Sequence, residues 1–358
     1  MITVAQQVLD PKGIGGVSTE YNALMKSTLT EKYNFVPVIL KDIKPGLDLS
    51  TMKFYYKSYK NIKPDIIHIR GAAIDSLNAI IPAFFYSKAK ILVTIHGMYS
   101  DLVYISKLKR FISKYIVEKL IFNLSDGISC VYEGAQNRDV FKKYQSKMLQ
   151  YVYNRGKDYD QYFSNRKMYR DKLKVNDDEV VGIYVGRITK EKGIDILLES
   201  LKEIKKENFK FFIIGDGQFL SDAKEYVIQE KMEEKVIFLG AQNNVYKYLI
   251  AGDFFVQPSL HENHSISLLE AAASKIAIIC TNVGGNKEIV CKDGGIIIEP
   301  NDKNQLSKAI KSLILNKETR NNLSNTEYYY QKEKFNNNEI DKQLDKVYKQ
   351  LLKKGEIK

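Results

Sequence analysis

No stretch of this chain approaches the roughly 20 consecutive apolar residues that span a bilayer, so nothing in it reads as a membrane-crossing helix. The first eight residues lack the basic start and long apolar core of a secretory leader and run straight into polar positions; the expected location is the cytoplasm. Cysteine is scarce. Cys130, Cys280 and Cys291 are three among 358 residues, odd in number and widely spaced, which excludes a disulfide framework and predicts reduced thiols. No repeat of 20–50 residues and no low-complexity tract occurs. Of the four histidines, His261 and His264 lie three apart, but no third ligand is near in sequence and the spacing is not His-Glu-x-x-His. The expectation is that no metal is required.

What is present is enough apolar residue, 44%, for ordinary buried cores, and a length that suggests two domains. The net charge of +12 is uneven. Residues 1–150 hold 21 basic and 12 acidic side chains, a balance of +9, while the other 208 hold 34 and 31, a balance of +3. A basic half suggests an anionic partner: nucleic acid, phospholipid or a phosphorylated substrate. No nucleic-acid recognition motif accompanies it, so no nucleic-acid partner is expected.

Short runs rich in Val, Ile and Phe alternate with longer amphipathic stretches. The runs cover residues 2–8, 35–40, 65–70, 91–96, 128–132 and 148–153, then 180–186, 210–215, 236–240, 254–258, 277–281 and 295–299. Most are continuously apolar, as parallel strands buried on both faces should be. Helical patterns such as 19–33, 102–122 and 193–204 separate them. The alternation predicts an α/β fold of two doubly wound, Rossmann-like domains, whose strand ends would face each other across a ligand-binding cleft. The polar stretch 154–179 reads as the linker. The domains are expected at 1–155 and 156–339, with a polar helix from 327 to 358 whose last part, from about 340, packs back on the first domain.

Four turns carry the chemistry. Gly13-Ile14-Gly15-Gly16-Val17 follows the first strand and opens a helix, where glycine lets a ligand approach free backbone N–H groups. Gly186-Arg187-Ile188-Thr189-Lys190-Glu191-Lys192-Gly193 joins a strand to a helix; a guanidinium, an ammonium and helix-start amides together suit a diphosphate. Glu262-Asn263-His264-Ser265-Ile266-Ser267-Leu268-Leu269-Glu270 places one glutamate before a helix and the other two turns inside it. Eight helical steps rise roughly 12 Å, wider than the about 5–9.5 Å between the carboxylates of a glycosidase, so this pair suits the two ends of one long ligand better than hydrolysis. Thr281-Asn282-Val283-Gly284-Gly285-Asn286 is a further glycine turn, and Gly215-Asp216-Gly217 ends another strand similarly. Asp158-Tyr159-Asp160 has the Asp-x-Asp form of a metal site but lies in the linker, not after a nucleotide-binding strand.

In that order, these motifs resemble the retaining glycosyltransferase family 4, also called group 1, of GT-B fold. The resemblance covers nearly the whole chain and is strongest from 180 to 300. It implies that Arg187 and Lys192 bind the donor diphosphate, that Glu262 contacts the transferred sugar, and that Glu270 holds the ribose. By the same resemblance Gly15 and Gly16 pack against phosphate and sugar, and His96, in Thr94-Ile95-His96-Gly97, lies beside the donor sugar. Gly186, Gly215, Asn263, His264, Ser265, Ile266, Gly284 and Gly285 complete the donor site. The family often has glycine and then an aromatic after the first glutamate. Asn263 and His264 depart from this, which bears on sugar identity rather than reaction type. Tyr153-Asn154-Arg155-Gly156-Lys157-Asp158 only approximates the family's Pro-Asn-Gly-Val-Asp signature.

The reaction so implied moves a sugar from a nucleotide diphosphate sugar, of UDP or GDP type, to a hydroxyl acceptor with retention and without a required cofactor. A polyprenyl-linked saccharide of surface polysaccharide assembly fits as acceptor, with the basic half resting on the inner, anionic face of the membrane. A nucleotide-sugar epimerase of similar architecture and a noncatalytic nucleotide-sugar-binding subunit remain as alternatives.

Overall fold

The computed structural model describes residues 1–8, 16–40, 46–176 and 178–354, with the backbone alone for 16–19. The chain forms two compact units, Met1–Arg155 together with Asn337–Lys358, and Gly156–Asn336.

The first unit runs β1 (Ile2–Val8), α1 (Gly16–Leu24), β2 (Tyr33–Ile39), α2 (Leu49–Ile62), β3 (Ile66–Ala72), α3 (Ile74–Tyr86), β4 (Lys90–Met98), α4 (Lys107–Ile112), α5 (Glu118–Leu124) and β5 (Gly127–Cys130). A single π turn, Ser113–Val117, joins α4 to α5. The five strands are parallel in the order β2-β1-β3-β4-β5. Central β3 and β4 are buried along nearly their whole length, whereas edge strand β2 alternates buried and exposed positions. Pro37, which has no N–H to give a ladder, sits on that edge.

The second unit runs α6 (Arg166–Lys172), β6 (Val180–Val185), α7 (Ile194–Glu203), β7 (Phe209–Ile214), α8 (Leu220–Gln229), β8 (Val236–Gly240), α9 (Tyr246–Ala251), β9 (Phe254–Gln257), α10 (Ile266–Ala273), β10 (Ala277–Thr281), α11 (Asn286–Ile289), β11 (Gly295–Ile298), α12 (Lys303–Leu315) and α13 (Lys317–Lys334). Its six parallel strands lie in the order β11-β10-β9-β6-β7-β8. Phe211, Phe254, Val256 and Ile279 from the sheet pack with Leu197 and Leu201 of α7 and Ile310 and Leu313 of α12. The chain builds outward from β6 in both directions, so the order reverses between β6 and β9. Such a switch point opens a crevice at the carboxyl ends of its strands, where α/β sheets hold ligands.

α14 (Asn337–Lys353) belongs to the first unit. Its Leu344, Val347, Tyr348 and Leu351 join Val4, Leu24, Phe35, Ile66 and Leu92 in one core. Gln6 Nε2 donates to the Tyr348 hydroxyl at 2.9 Å, and His68 Nδ1 lies 2.9 Å from that same oxygen.

Three local expectations are corrected. Residues 148–153 form no strand: Leu149 and Val152 donate to Ile128 and Cys130 carbonyls, but a single bridge, Ile128–Met148, is all the ladder this irregular spacing allows. The helix expected over 327–358 is two helices, because the chain turns at Phe335, whose ring is buried against His264 and Tyr330. The helix expected over 19–33 ends at Leu24 and a 3₁₀ turn, Thr28–Glu31, follows. The three cysteines are thiols, Cys130 and Cys280 buried; burial pushes Cys130 up to about 12.

Candidate functional site

The loops after β6 and β9 flank the switch point of the second unit, and they meet. Leu260 N–H donates to the Glu191 carbonyl at 2.9 Å, which brings Lys192 to Glu262. Lys192 Nζ lies 2.6 Å from Glu262 Oε1. The same oxygen accepts from Gln257 Nε2 at 2.9 Å and Ser259 Oγ at 2.8 Å. Both ion-pair partners are largely shielded, with side chains 18% and 11% exposed, so the charge-assisted bond is stronger than a surface pair. Three donors converge on Oε1, while Oε2 has no protein donor among the described residues. Gln257 Nε2 also donates to Ser265 Oγ at 2.7 Å, and Ser265 caps α10 by accepting from Leu268 N–H.

The glycine turn after β10 holds this loop from beside. Gly284 has φ +54°, and a Cβ there would run into the Glu262 carbonyl oxygen; Gly285 N–H donates to the Asn263 carbonyl at 2.6 Å. On the other flank Gly215, at φ +146°, abuts the Gly186 carbonyl so closely that any side chain would clash with it. Only glycine fits either contact. Four strand-end turns, after β6, β7, β9 and β10, therefore interlock, and Gly186, Arg187, Lys192, Gly215, Glu262, Asn263, Ser265, Ile266, Gly284 and Gly285 lie together on one edge of one sheet.

Arg187 follows Gly186 with its side chain exposed and paired with no carboxylate among the described residues. Tyr184 Oη donates to its carbonyl at 2.8 Å, fixing the backbone while the guanidinium stays available. Glu270 is half-buried; Tyr159 Oη donates to it at 3.4 Å. Burial raises its carboxyl above the usual range, opposed by Lys157 and the Tyr159 bond. Glu270 lies just past the first turn of α10, not two turns inside, because the Ser265 cap starts the helix at Ile266. The eight-step helical rise expected between the glutamates does not apply. His264 is buried, with its ring 5.4 Å from that of Phe335.

Residues 165–329 match the sequence profile of the family described as glycosyl transferases group 1. That stretch, somewhat under half of the chain, is similar to the group 1 glycosyltransferases. Among its relatives, an uncharacterized glycosyltransferase of Methanocaldococcus jannaschii is 29% identical over 67% of this chain and 58% of its own length. The match thus spans little more than half of that relative. UDP-Gal:alpha-D-GlcNAc-diphosphoundecaprenol alpha-1,3-galactosyltransferase of Escherichia coli is 25% identical over 81% of this chain and 79% of its own. A solved sucrose-phosphate synthase from Thermosynechococcus elongatus superposes with a TM-score of 0.81 over 98% of this chain and 99% of that one, at 17% identity. The fold is that of GT-B glycosyltransferases.

The profile match covers the interlocked edge but not His96, Gly15 or Gly16. Gly15 lies outside the described residues. Gly16 begins α1, so that helix starts ahead of Ser18 and Thr19. His96 lies near the end of β4, its Nε2 3.5 Å from Arg70 Nη1; burial and the Arg70 charge push it down to about 3. With Glu20, His68, Arg70, Thr94 and Arg155 it lines a cavity of about 30 Å³, roughly the room of one water molecule. Arg155 is buried between Glu20 and Asp341. Among the described residues no group of three or more His, Cys, Asp or Glu could hold a metal ion, and Asp160 is taken up by Tyr328 and Lys332.

Sequence reasoning missed Gln257, Ser259 and Tyr159. A polar residue closing an otherwise apolar strand, as Gln257 closes Phe254–Gln257, was the available signal for the first.

Proposed function

We propose that this glycosyltransferase transfers a sugar, with retention, from a nucleotide diphosphate sugar to a hydroxyl of a lipid-linked saccharide. The observation that carries the reading is the Lys192–Glu262 contact across the switch point, with Oε2 of Glu262 open beside it. The second unit binds the donor and the first serves the acceptor. Glu262 Oε2 accepts from a sugar hydroxyl, and Glu270, kept weakly acidic by burial, takes the ribose. As the anomeric bond breaks, negative charge grows on the diphosphate, and Arg187 and Lys192 with the amides opening α10 stabilise it. These fixed charges supply what a metal would, so the reaction is metal-independent.

The acceptor assignment draws on the Escherichia coli relative, whose name gives a UDP-sugar donor and a diphosphoundecaprenol-linked acceptor. Action on such an acceptor belongs at the inner face of the membrane, in surface polysaccharide assembly. The test is a thermal-shift screen of nucleotide diphosphates and their sugars, followed by transfer of labelled sugar to a polyprenyl-diphosphate saccharide in the presence of EDTA. A ligand at 100 times its dissociation constant adds about 2.7 kcal/mol, an easily read shift. Isomerisation of the donor without acceptor, or transfer abolished by EDTA, would overturn the reading.

A further inference from the structure

On α6, Arg166, Lys167 and Arg170 fall at the three- and four-residue spacing that sets side chains on one helix face. On α13, Lys317, Arg320 and Ser324 do the same. Both faces line a cleft of about 860 Å³, together with Val180 at the start of β6, Asp253 ahead of β9 and Ile276 ahead of β10. The cleft lies entirely within the second unit, at the amino ends of these strands. The candidate site occupies their carboxyl ends. The six residues of β6, at about 3.3 Å each, put roughly 20 Å between Val180 and Gly186.

Among the described lining residues six are basic and three acidic. Two of the acids are spent on the protein. Asp253 pairs with Arg166 at 2.7 Å and Arg170 at 3.2 Å and accepts from Val181 N–H at 2.8 Å. Glu179 pairs with Lys210 at 3.3 Å and accepts from Asn176 N–H at 2.8 Å. Capping of α9 accounts for two of the cations as well: Arg166 Nη1 donates to the Ile250 and Gly252 carbonyls, and Arg170 Nη1 to the Ala251 carbonyl at 3.1 Å. It does not account for Lys167, Lys275 and Lys317, which are exposed and pair with no carboxylate among the described residues. Arg320 gives Nη1 to the Leu313 and Ile314 carbonyls, and it too forms no ion pair among the described residues. Burial pushes its guanidinium below the usual arginine range, opposed by Asp253. Four cations without an ion-pair partner thus line the cleft against one remaining acid, Asp178.

We propose that this cleft binds a phosphorylated small molecule, its phosphate held by Lys275, Lys317 and Arg320. A phosphate dianion answers a cluster of ammonium and guanidinium groups that no protein carboxylate neutralises. The first turn of the 18-residue α13, where Lys317 stands, adds the positive end of its dipole. The volume falls within the roughly 300–1,000 Å³ of small-molecule sites and leaves room for an organic group beyond the phosphate. The inference does not rest on the glycosyl-transfer reading.

The test is calorimetry of the full chain at low salt with inorganic phosphate, glucose 6-phosphate and glucose. The Arg187→Ala background removes the unpaired guanidinium at the opposite end of the sheet, so a phosphate held there is told apart from one held in the cleft. Both phosphates should bind Arg187→Ala as they bind the wild type, and glucose should not bind. Lys275→Gln combined with Lys317→Gln should weaken both phosphates by roughly tenfold or more, with circular dichroism unchanged. Lys224→Gln combined with Lys308→Gln, exposed lysines of the same unit outside the cleft, should leave their affinity as it was. Absence of binding to the folded protein overturns the proposal. So does equal weakening by the two lysine pairs, which would mean diffuse attraction. Binding lost in Arg187→Ala but kept in Lys275→Gln with Lys317→Gln would place the phosphate at the carboxyl ends of the strands and overturn it as well.

Discussion

At the scale of single residues, charge placement decides the outcome. Arg187→Ala removes a guanidinium that pairs with no carboxylate among the described residues, so the fold should be indifferent while turnover falls by roughly 100-fold or more, by analogy with loss of an oxyanion donor. Thermal unfolding beside steady-state kinetics separates the two; wild-type turnover would take Arg187 out of the mechanism. Glu262 and Glu270 divide differently. Glu270→Gln should weaken free nucleotide diphosphate in calorimetry, while Glu262→Gln should spare it and slow transfer. Equal loss of nucleotide affinity in both would contradict that division. The Arg187–Lys192 loop was legible because strand end, cations and helix start are contiguous. The Lys192–Glu262 contact was not, since its partners lie 70 residues apart and no local pattern announces a pairing made by the sheet. Gly284 illustrates the same limit: its sequence marks a turn, but the carbonyl that excludes a side chain comes from Glu262.

At the scale of elements, parallel strands were readable because burial on both faces leaves a continuous apolar run, as in β10, buried throughout. Residues 148–153 share that composition yet lack a ladder, since apolar residues beside a sheet edge look the same whether or not they pair. α14 is the converse case: Ile340, Leu344, Val347, Tyr348 and Leu351 make a narrow apolar stripe on a helix polar overall. Leu344→Ala should cost roughly 2–5 kcal/mol, read as a lowered urea midpoint. Tyr348→Phe strands Gln6 Nε2 and one His68 nitrogen in a buried site, and should cost about 1–3 kcal/mol for each group left unsatisfied. Neutral behaviour of both variants would mean α14 is dispensable to the first unit.

At the scale of the molecule, the two units should respond to pH in opposite directions. In the first, burial lowers His68 well below the ordinary histidine range, and His96 falls to about 3. Folded-state values below the unfolded one mean that stability is intact above the unfolded value near 6.5 and is lost as pH falls toward 3. In the second, burial raises the Glu327 carboxyl from 4.5 to about 7, although its Oε2 accepts from Cys291 N–H at 2.9 Å. Here stability is intact below 4.5 and declines as pH rises to about 7, by on the order of 3 kcal/mol. Glu327→Gln should therefore stabilise the protein at pH 8 and leave it unchanged at pH 4. Denaturant unfolding at both values checks this, and equal effects at the two would contradict it.

The first unit is also discontinuous: Met1–Arg155 is completed by a helix that begins at Asn337. On the ribosome this imposes a schedule. At 5–20 residues per second, the 181 residues from Gly156 to Asn336 take roughly 9–36 s to synthesise. Throughout that interval Val4, Phe35, Ile66 and Leu92 have no Tyr348 or Leu351 to close over them. The second unit, contiguous in sequence, has all its residues synthesised first. The part of the protein made earliest is thus the last to have its core completed.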